Sequence, residues 1–172
     1  MVDQAFSEGS DCTKQFREAY ENRYTWDSNF PGYEGNCSWS NGKTSLKGNF
    51  LLDKNLKATV KGFVDPSISK AVESQLWEVS IHRVNRPFEQ VHGSNTFKFG
   101  DLKDAGIEVI VGGKNKGDRY RIKDNVITMV SRNIHGKLIK VLTKEVFHTD
   151  RGYLSKIYTS QFFESGTREK IQ

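Results

Sequence analysis

A chain of 172 residues with 35% hydrophobic and 12% aromatic residues is long enough to bury a core, which excludes an intrinsically disordered protein. Its formal net charge of +5 suits an acidic partner or an anionic membrane surface, but the absence of a long basic run argues against a nucleic-acid-binding arm. No apolar stretch approaches the roughly 18 residues that a membrane-spanning helix needs.

The first predicted element is a helix over residues 11–26, after a flexible N-terminal lead at residues 1–10. Its apolar positions recur at three- and four-residue spacing: Phe16, Ala19, Tyr20 and Tyr24. Asp11 or Thr13 can cap its start, and Pro31 with its neighbouring glycines ends it.

Three short strands are predicted next: residues 36–40, 44–52 and 56–63. Asn41-Gly42, between the first two, is a strong hairpin signal. A second helix is predicted to begin at Pro66, behind Asp65 as its cap, and to stop before Pro87.

The rest of the chain is predicted to be an antiparallel meander, because the turn signals KDN, HGK and TDRG separate its last four segments. The predicted strands are residues 88–92, 96–100, 107–112, 118–123, 126–134, 137–148 and 152–163. Without alternating strands and helices, a parallel sheet is not expected. The predicted fold class is α+β: a large curved antiparallel sheet, open or half-barrel, with two helices packed on it. A single domain at residues 11–165 would precede a flexible tail at residues 166–172.

The strands at 137–148 and 152–163 carry apolar residues on both faces. A sheet with one face in water alternates sharply between apolar and polar residues, so both faces here are predicted to be partly covered. Curved sheets with aromatic linings commonly hold apolar ligands. The pattern therefore predicts a concavity with these ligand-binding residues: Tyr120, Met129, Phe147, Tyr158 and Phe162. A two-layer core with some exposed aromatic residues explains the same pattern.

The segment IHRVNRPFEQVHGSNTF, residues 81–97, concentrates polar and aromatic side chains. His92 is its acid–base candidate because imidazole titrates near neutrality, and Glu89 is the second candidate catalytic residue. As a strand, residues 88–92 would place these two on opposite faces. The interpretation that we favour is a hydrogen-bonded polar seam joining helix to strand: His82, Arg83, Arg86, His92 and Asn95.

In the strand at 118–123 the basic residues and Tyr120 lie on opposite faces. Because charge and stacking surface point apart, the strand is a poor platform for single-stranded nucleic acid. The basic positions instead predict an electrostatic docking surface: Arg119, Arg121, Lys123, Lys140 and Lys144.

No metal site is predicted, since the four histidines lack HxxxH or HxH spacing and the two cysteines form no CxxC. Two cysteines in a chain of this length are typical of a reducing compartment. Whether Cys12 and Cys37 are free, bonded or modified stays open. No cofactor is predicted beyond a non-covalently bound pigment or lipid.

Five segments resemble an uncharacterised family of cyanobacterial and plastid proteins: FREAYENRYTWDSNFPGYEGN, LKATVKG, HRVNRPFEQVHGSNTF, GDRYRIKDNVITMVSR and GYLSKIYTSQFF. Together they cover roughly residues 15–165. The resemblance implies a single-domain protein in the cytoplasm or plastid stroma, or peripheral to the thylakoid surface. It also implies a fold similar to the curved sheet of bacterial lipoprotein carriers, and it supplies no catalytic residues.

Three functions remain open. The first is a non-enzymatic binding protein of the photosynthetic apparatus that holds a pigment or lipid in its concave sheet. The second is a linker or assembly factor that docks electrostatically on phycobiliprotein or photosystem subunits. The third is a cofactor-free lyase or isomerase that uses His92 and Glu89.

Overall fold

The computed structural model describes residues 2–164 of the chain, and the side chains of residues 9–163. These residues form two compact units. The small unit is Thr25–Asn85, and the large unit combines the chain up to Tyr24 with the chain from Arg86 onward.

The small unit is a three-stranded antiparallel sheet with one helix. Its elements are β1 (Gly32–Ser40), β2 (Ser45–Asp53), β3 (Ala58–Lys61) and α2 (Pro66–His82), and the strand order is β1-β2-β3. The predicted cap is confirmed, because an Asp65 carboxylate oxygen accepts a hydrogen bond from the Ser67 amide at 2.8 Å. Pro66 stands at the first helical position, where a missing N–H costs nothing.

Trp26 fastens the chain before β1 to the end of α2. Its indole Nε1 donates to the Ser80 carbonyl at 2.9 Å, and its ring stacks on Phe30 at 4.2 Å between centroids. The guanidinium of Arg83 lies 5.2 Å from the centre of the same indole, within cation–π range. These contacts hold the two ends of the small unit together.

The large unit is a six-stranded antiparallel sheet with two helices. Its elements are α1 (Val2–Glu21), α3 (Phe88–His92), β4 (Asn95–Lys103), β5 (Gly106–Gly113), β6 (Arg119–Lys123), β7 (Val126–Ile134), β8 (Lys137–Thr149) and β9 (Gly152–Glu164). The strands pair in sequence order, so β4 and β9 form the two edges of an open sheet. The predicted α+β class with an open antiparallel sheet is confirmed. The strands are divided between two sheets, and α3 is a third helix.

One face of α1 supplies four residues of the core of the large unit. Cys12, Phe16, Ala19 and Tyr20 are buried at the spacing of a single helix face. The sheet residues of the same core are Phe97, Val109, Val111, Tyr120, Ile122 and Ile127. Cross-strand partners share a face of a sheet, so we call the face with these residues the helix face and the opposite one the outer face.

The register confirms the predicted division of β6. Tyr120 and Ile122 lie on the helix face, opposite Val109 and Ile107 of β5. Arg119 lies on the outer face, as does every second residue after it in β6. Charge and aromatic surface therefore point apart in this strand.

The predicted bounds of the first helix, 11–26, are wrong, because α1 spans Val2–Glu21. Asp11 and Thr13 are interior residues rather than caps, and the Thr13 hydroxyl donates to the Gly9 carbonyl one turn earlier at 2.9 Å. A glycine inside a helix costs only about 1 kcal/mol. Packing of the helix against β4 offsets that cost, so Gly9 does not end the helix.

The predicted strand at 88–92 is also wrong, since these residues form α3 behind Pro87. Phe88 and His92 are buried four residues apart, while Glu89 and Gln90 are exposed. In a five-residue segment the two-residue period and the helical spacing both place Phe88 and His92 on one side. The sequence pattern therefore did not distinguish the two structures.

Two β-bulges bend the β8–β9 hairpin. The register shifts between Thr143 and Glu145 and again between Glu145 and Val146, which increases local twist. Beyond the bulges the hairpin is fixed to the chain after α1. Tyr153 donates its amide to the Asn22 carbonyl and accepts from the Tyr24 amide, both at 2.9 Å.

We predict that Phe16→Ala lowers the free energy of unfolding of the large unit by about 3–5 kcal/mol, because Phe16 is fully buried. Phe162→Ala is the matched control and should change it by less than about 0.5 kcal/mol, because that ring is exposed. Urea unfolding followed by circular dichroism measures both changes. Tryptophan fluorescence is less suitable, because all three tryptophans lie in the small unit. Equal effects of the two substitutions would contradict the assigned core.

Candidate functional site

The five predicted ligand-binding residues lie on both faces of the six-stranded sheet. Tyr120, Tyr158 and Phe162 are on the helix face, and Met129 and Phe147 are on the outer face. Tyr120 is buried beneath α1 and Met129 is buried on the other side, while Phe147 and Phe162 are 55% and 59% exposed. The five residues therefore do not line one common cavity.

A pocket of about 190 Å³ lies between α1 and the strands β5 and β6. Its walls include Gln15 and Glu18 of α1, Ile107 of β5, and Lys123 with Asp124 at the β6–β7 turn. None of the predicted ligand-binding residues lines it. Its lining mixes polar and charged side chains with the apolar side chains of Ala19, Ile107 and Ile122.

His92 is enclosed by aromatic rings. The rings of Phe16, Tyr20 and Phe88 lie 5.1–5.2 Å from the imidazole centroid, and those of Phe97 and Tyr120 lie 5.9 Å away. We call these six residues the aromatic cluster. Burial, together with the charges of Arg132 and Arg23, lowers the pKa of His92 to about 4. His92 is therefore neutral at pH 7 and a weak base.

One hydrogen bond orients the imidazole of His92. The Asn95 amide nitrogen lies 3.2 Å from His92 Nδ1, which fits an unprotonated, accepting Nδ1. Asn95 is itself fixed, because it donates to the Asn115 side chain at 3.1 Å and accepts from the Asn115 amide at 2.9 Å. The imidazole is thus held by a short chain of amides rather than by a carboxylate.

Glu89, the second candidate catalytic residue, lies on the exposed side of α3. Its carboxylate forms an ion pair with Arg17 of α1 at 2.6 Å. The structure therefore directs Glu89 outward and His92 inward, and it does not bring the two side chains together.

The other members of the predicted polar seam are divided between the two units. His82 and Arg83 end α2 in the small unit, whereas Arg86, His92 and Asn95 belong to the large unit. Arg86 contributes its carbonyl, which accepts from the Tyr20 hydroxyl at 2.9 Å. Of the five residues, the structure joins His92 to Asn95.

Two arginines that the sequence analysis did not select lie beside the aromatic cluster. Arg23 follows α1, and its guanidinium carbon lies 3.8 Å from the centre of the Tyr20 ring. Arg132 stands on the helix face of β7, and its Nε donates to the nearly buried carboxylate of Asp118 at 2.8 Å. We call Arg23 and Arg132 the arginine pair.

The arginine pair places positive charge beside the aromatic cluster. Burial raises the pKa of Tyr120 to about 12; the charges of Arg132 and Arg23 oppose that rise, and those of Asp118 and Tyr20 add to it. The two arginine charges also lower the pKa of His92. Positive charge therefore dominates at His92, whereas at Tyr120 it is opposed by Asp118.

The helix face continues past the helices onto the last two strands. Arg132, Ile139 and Phe162 form one row across β7, β8 and β9, and Val130 pairs with Val141 in the next row. We call Val130, Ile139, Val141 and Phe162 the apolar strip. Its three aliphatic side chains are partly buried and its phenylalanine is exposed. α1 packs mainly against β4 and β7, and Val130 packs against the core. Ile139, Val141 and Phe162 are the part of the strip that extends beyond the main helix contacts.

The predicted docking residues have different surroundings. Lys98, Arg119 and Lys140 share one row of the outer face, because the register links them through Ile110 and Ser131. Arg119 forms an ion pair with Glu108 at 3.1 Å.

Arg121 is buried, and it donates to the Asp101 carboxylate and to the Gly106 carbonyl at 2.9 Å. Lys123 donates to the Asp104 carbonyl at 3.0 Å, and Lys144 is exposed at the β8 bulge. Arg119 and Lys140 are therefore the members of the set that share a row.

Neither cysteine is bonded in the structure. Cys12 is fully buried in α1, and burial raises the pKa of its thiol to about 12, so it is unreactive. Cys37 lies half-buried on β1. Among residues 2–164, no group of three or more histidine, cysteine or acidic side chains could hold a metal ion. Within that range no helix is long and apolar enough to cross a membrane.

In the sequence, the arginine pair is indicated only by the position of Arg132 in its strand. Arg132 interrupts the apolar positions Val130 and Ile134, which share its face in the predicted strand at 126–134. Its partners, Asp118 and the row across β8 and β9, become visible only through the strand register.

Residues 7–172 match the sequence profile of a family described as a protein of unknown function, DUF3386. Comparison with curated proteins found no match, and comparison with solved structures found none. Because the profile covers nearly the whole length, the chain belongs to the DUF3386 family.

We predict that stability falls by about 2 kcal/mol between pH 7 and pH 5 because of His92. Its folded pKa of about 4 lies below its ordinary value of 6.5, so only the unfolded state gains a proton in that window. The contribution is complete above pH 6.5 and is lost as the pH falls toward 4. His92→Leu should flatten the pH dependence of the urea midpoint, whereas His148→Gln, at an exposed histidine, should not. An unchanged slope in His92→Leu would refute the assignment.

Proposed function

We propose that this member of the DUF3386 family is a non-enzymatic binding protein that holds an apolar small molecule, a pigment or a lipid, against the apolar strip. The observation that carries the proposal is the continuation of the helix face beyond the helices. There, Ile139 and Val141 are partly buried and Phe162 is 59% exposed. An exposed aromatic ring that extends an apolar row is typical of a binding surface.

The apolar strip is better placed for a ligand than the rest of the sheet. Over β4–β6 the helix face is filled by α1, whose Phe16 is fully buried between Phe97 and Tyr120. A ligand there would have to displace the core, whereas a ligand on the strip adds contacts to it. Each 100 Å² of apolar surface removed from water contributes about 2.5 kcal/mol.

We further propose that this binding protein works in an oxygenic phototroph, in the cytoplasm or plastid stroma or peripheral to the thylakoid surface. The support is the resemblance of segments such as GDRYRIKDNVITMVSR to cyanobacterial and plastid sequences. Pigments and lipids are the apolar molecules that such a setting supplies.

The row Lys98–Arg119–Lys140 on the outer face favours a second candidate function. A linker or assembly factor would use such a row to dock on an acidic phycobiliprotein or photosystem subunit. Within this row, Arg119 already forms an ion pair with Glu108, which reduces its own contribution to that attraction.

We predict that Phe162→Asp weakens binding of an apolar fluorescent probe, such as a polyene, by at least tenfold. A carboxylate on the strip would have to be desolvated by the probe. Phe147→Asp is the matched control, because Phe147 is 55% exposed on the outer face and should leave probe affinity unchanged. Probe titration of the full chain measures both. Equal losses, or no loss in Phe162→Asp, would contradict the apolar strip as the binding surface.

For the docking function, we predict that association with isolated antenna or photosystem complexes weakens as salt rises and weakens further in Lys140→Glu. Charge reversal turns attraction into repulsion at the proposed contact. Co-sedimentation at two salt concentrations measures the effect, with Lys47→Glu on the small unit as the control. Association that is insensitive to both salt and Lys140→Glu would exclude electrostatic docking through this row.

A further inference from the structure

We propose that the molecule bound on the apolar strip carries a carboxylate and that the arginine pair binds it. The inference rests on the proposed function and names its ligand class: an amphipathic acid with one carboxylate and an apolar body. The arginine pair would receive the head group, and Ile139, Val141 and Phe162 would contact the body.

The strand register places the two halves of this site next to each other. Arg132 pairs directly with Ile139, and Ile139 pairs with Phe162. Neighbouring strands are about 4.8 Å apart. A head group bound at Arg132 would therefore lie directly beside an apolar chain that crosses β8 and β9. A charge followed immediately by an apolar row is the pattern that an amphipathic acid requires.

The guanidinium of Arg132 retains capacity for a ligand. Asp118 accepts from Nε, which leaves the two terminal amino groups on the other side of the planar group, and the side chain is 36% exposed. A carboxylate can accept from both amino groups of one guanidinium in a bidentate arrangement. Asp118 therefore orients Arg132 without occupying its whole donor set.

The charges of the arginine pair act together on the aromatic cluster. Burial is the main cause of the lowered pKa of His92, and the charges of Arg132 and Arg23 both add to the lowering. The ion pair with Asp118 therefore does not cancel the field of Arg132 at His92. That field would attract a carboxylate, whereas it would not attract a neutral head group.

Decanoate and decanol, which share an alkyl chain and differ in head group, test the inference. We expect the full-length chain to bind decanoate at least tenfold more tightly than decanol in calorimetric titrations at pH 8. Arg132→Gln should remove that preference by weakening decanoate and leaving decanol unchanged. Arg119→Gln is the matched control, because Arg119 is also ion-paired and 48% exposed but lies on the outer face.

The substitution Asp118→Asn should change the affinity for decanoate in the opposite direction. Removing its negative charge should strengthen decanoate binding several-fold and leave decanol binding unchanged, since Arg132 would then lose its anionic partner. This variant keeps the test decisive if Arg132→Gln fails to fold, which circular dichroism would show.

The outcomes separate the two proposals. Equal binding of decanoate and decanol, with Asp118→Asn indistinguishable from the natural chain, overturns the carboxylate site and leaves the proposed function standing. Binding of neither compound overturns the proposed function itself. Tighter binding of decanoate that persists in Arg132→Gln and is lost in Arg119→Gln overturns the site and places the head group on the outer face.

Discussion

The large unit depends on the contact that Phe16 makes in the middle of α1. Its fully buried ring lies within 6 Å of the rings of Phe88, His92, Phe97 and Tyr120, so it joins α1 and α3 to the sheet at one point. Aromatic pairs in this range stabilise each other beyond the area that they bury. The same packing removes His92 from water and determines how much of the helix face is covered by α1.

The position of α1 determines which part of the sheet surface is open to a ligand. Because the helix fills the face over the first strands, the apolar row over β8 and β9 is left as surface, next to the arginines that flank the cluster. Tyr153 strengthens this arrangement, since its hydroxyl accepts from the Ile127 amide while its backbone pairs with the chain after α1. The end of α1, the bent hairpin and the candidate site are thus parts of one packed assembly.

Local sequence signals predicted most strands of the six-stranded sheet well, but they did not predict contacts between residues that are distant in the sequence. Turn residues gave β7 its observed bounds, and Asp65 with Pro66 gave the start of α2. The bulge at Glu145 could not be read from alternation, because one extra residue in each strand exchanges the faces beyond it. Asp118 and Arg132 are 14 residues apart and meet only across two strands, so no local pattern joins them. The sequence therefore revealed the sheet and its apolar residues but not which of them share a surface.

The most direct measurement is a map of backbone amide chemical shifts as decanoate is added to isotope-labelled protein. If the ligand lies on the helix face of the last strands, the largest changes fall on Arg132, Ile139, Val141 and Phe162, and the outer-face residue Phe147 stays unchanged. Changes confined to the outer face, or to the pocket beside Gln15 and Asp124, would contradict the account.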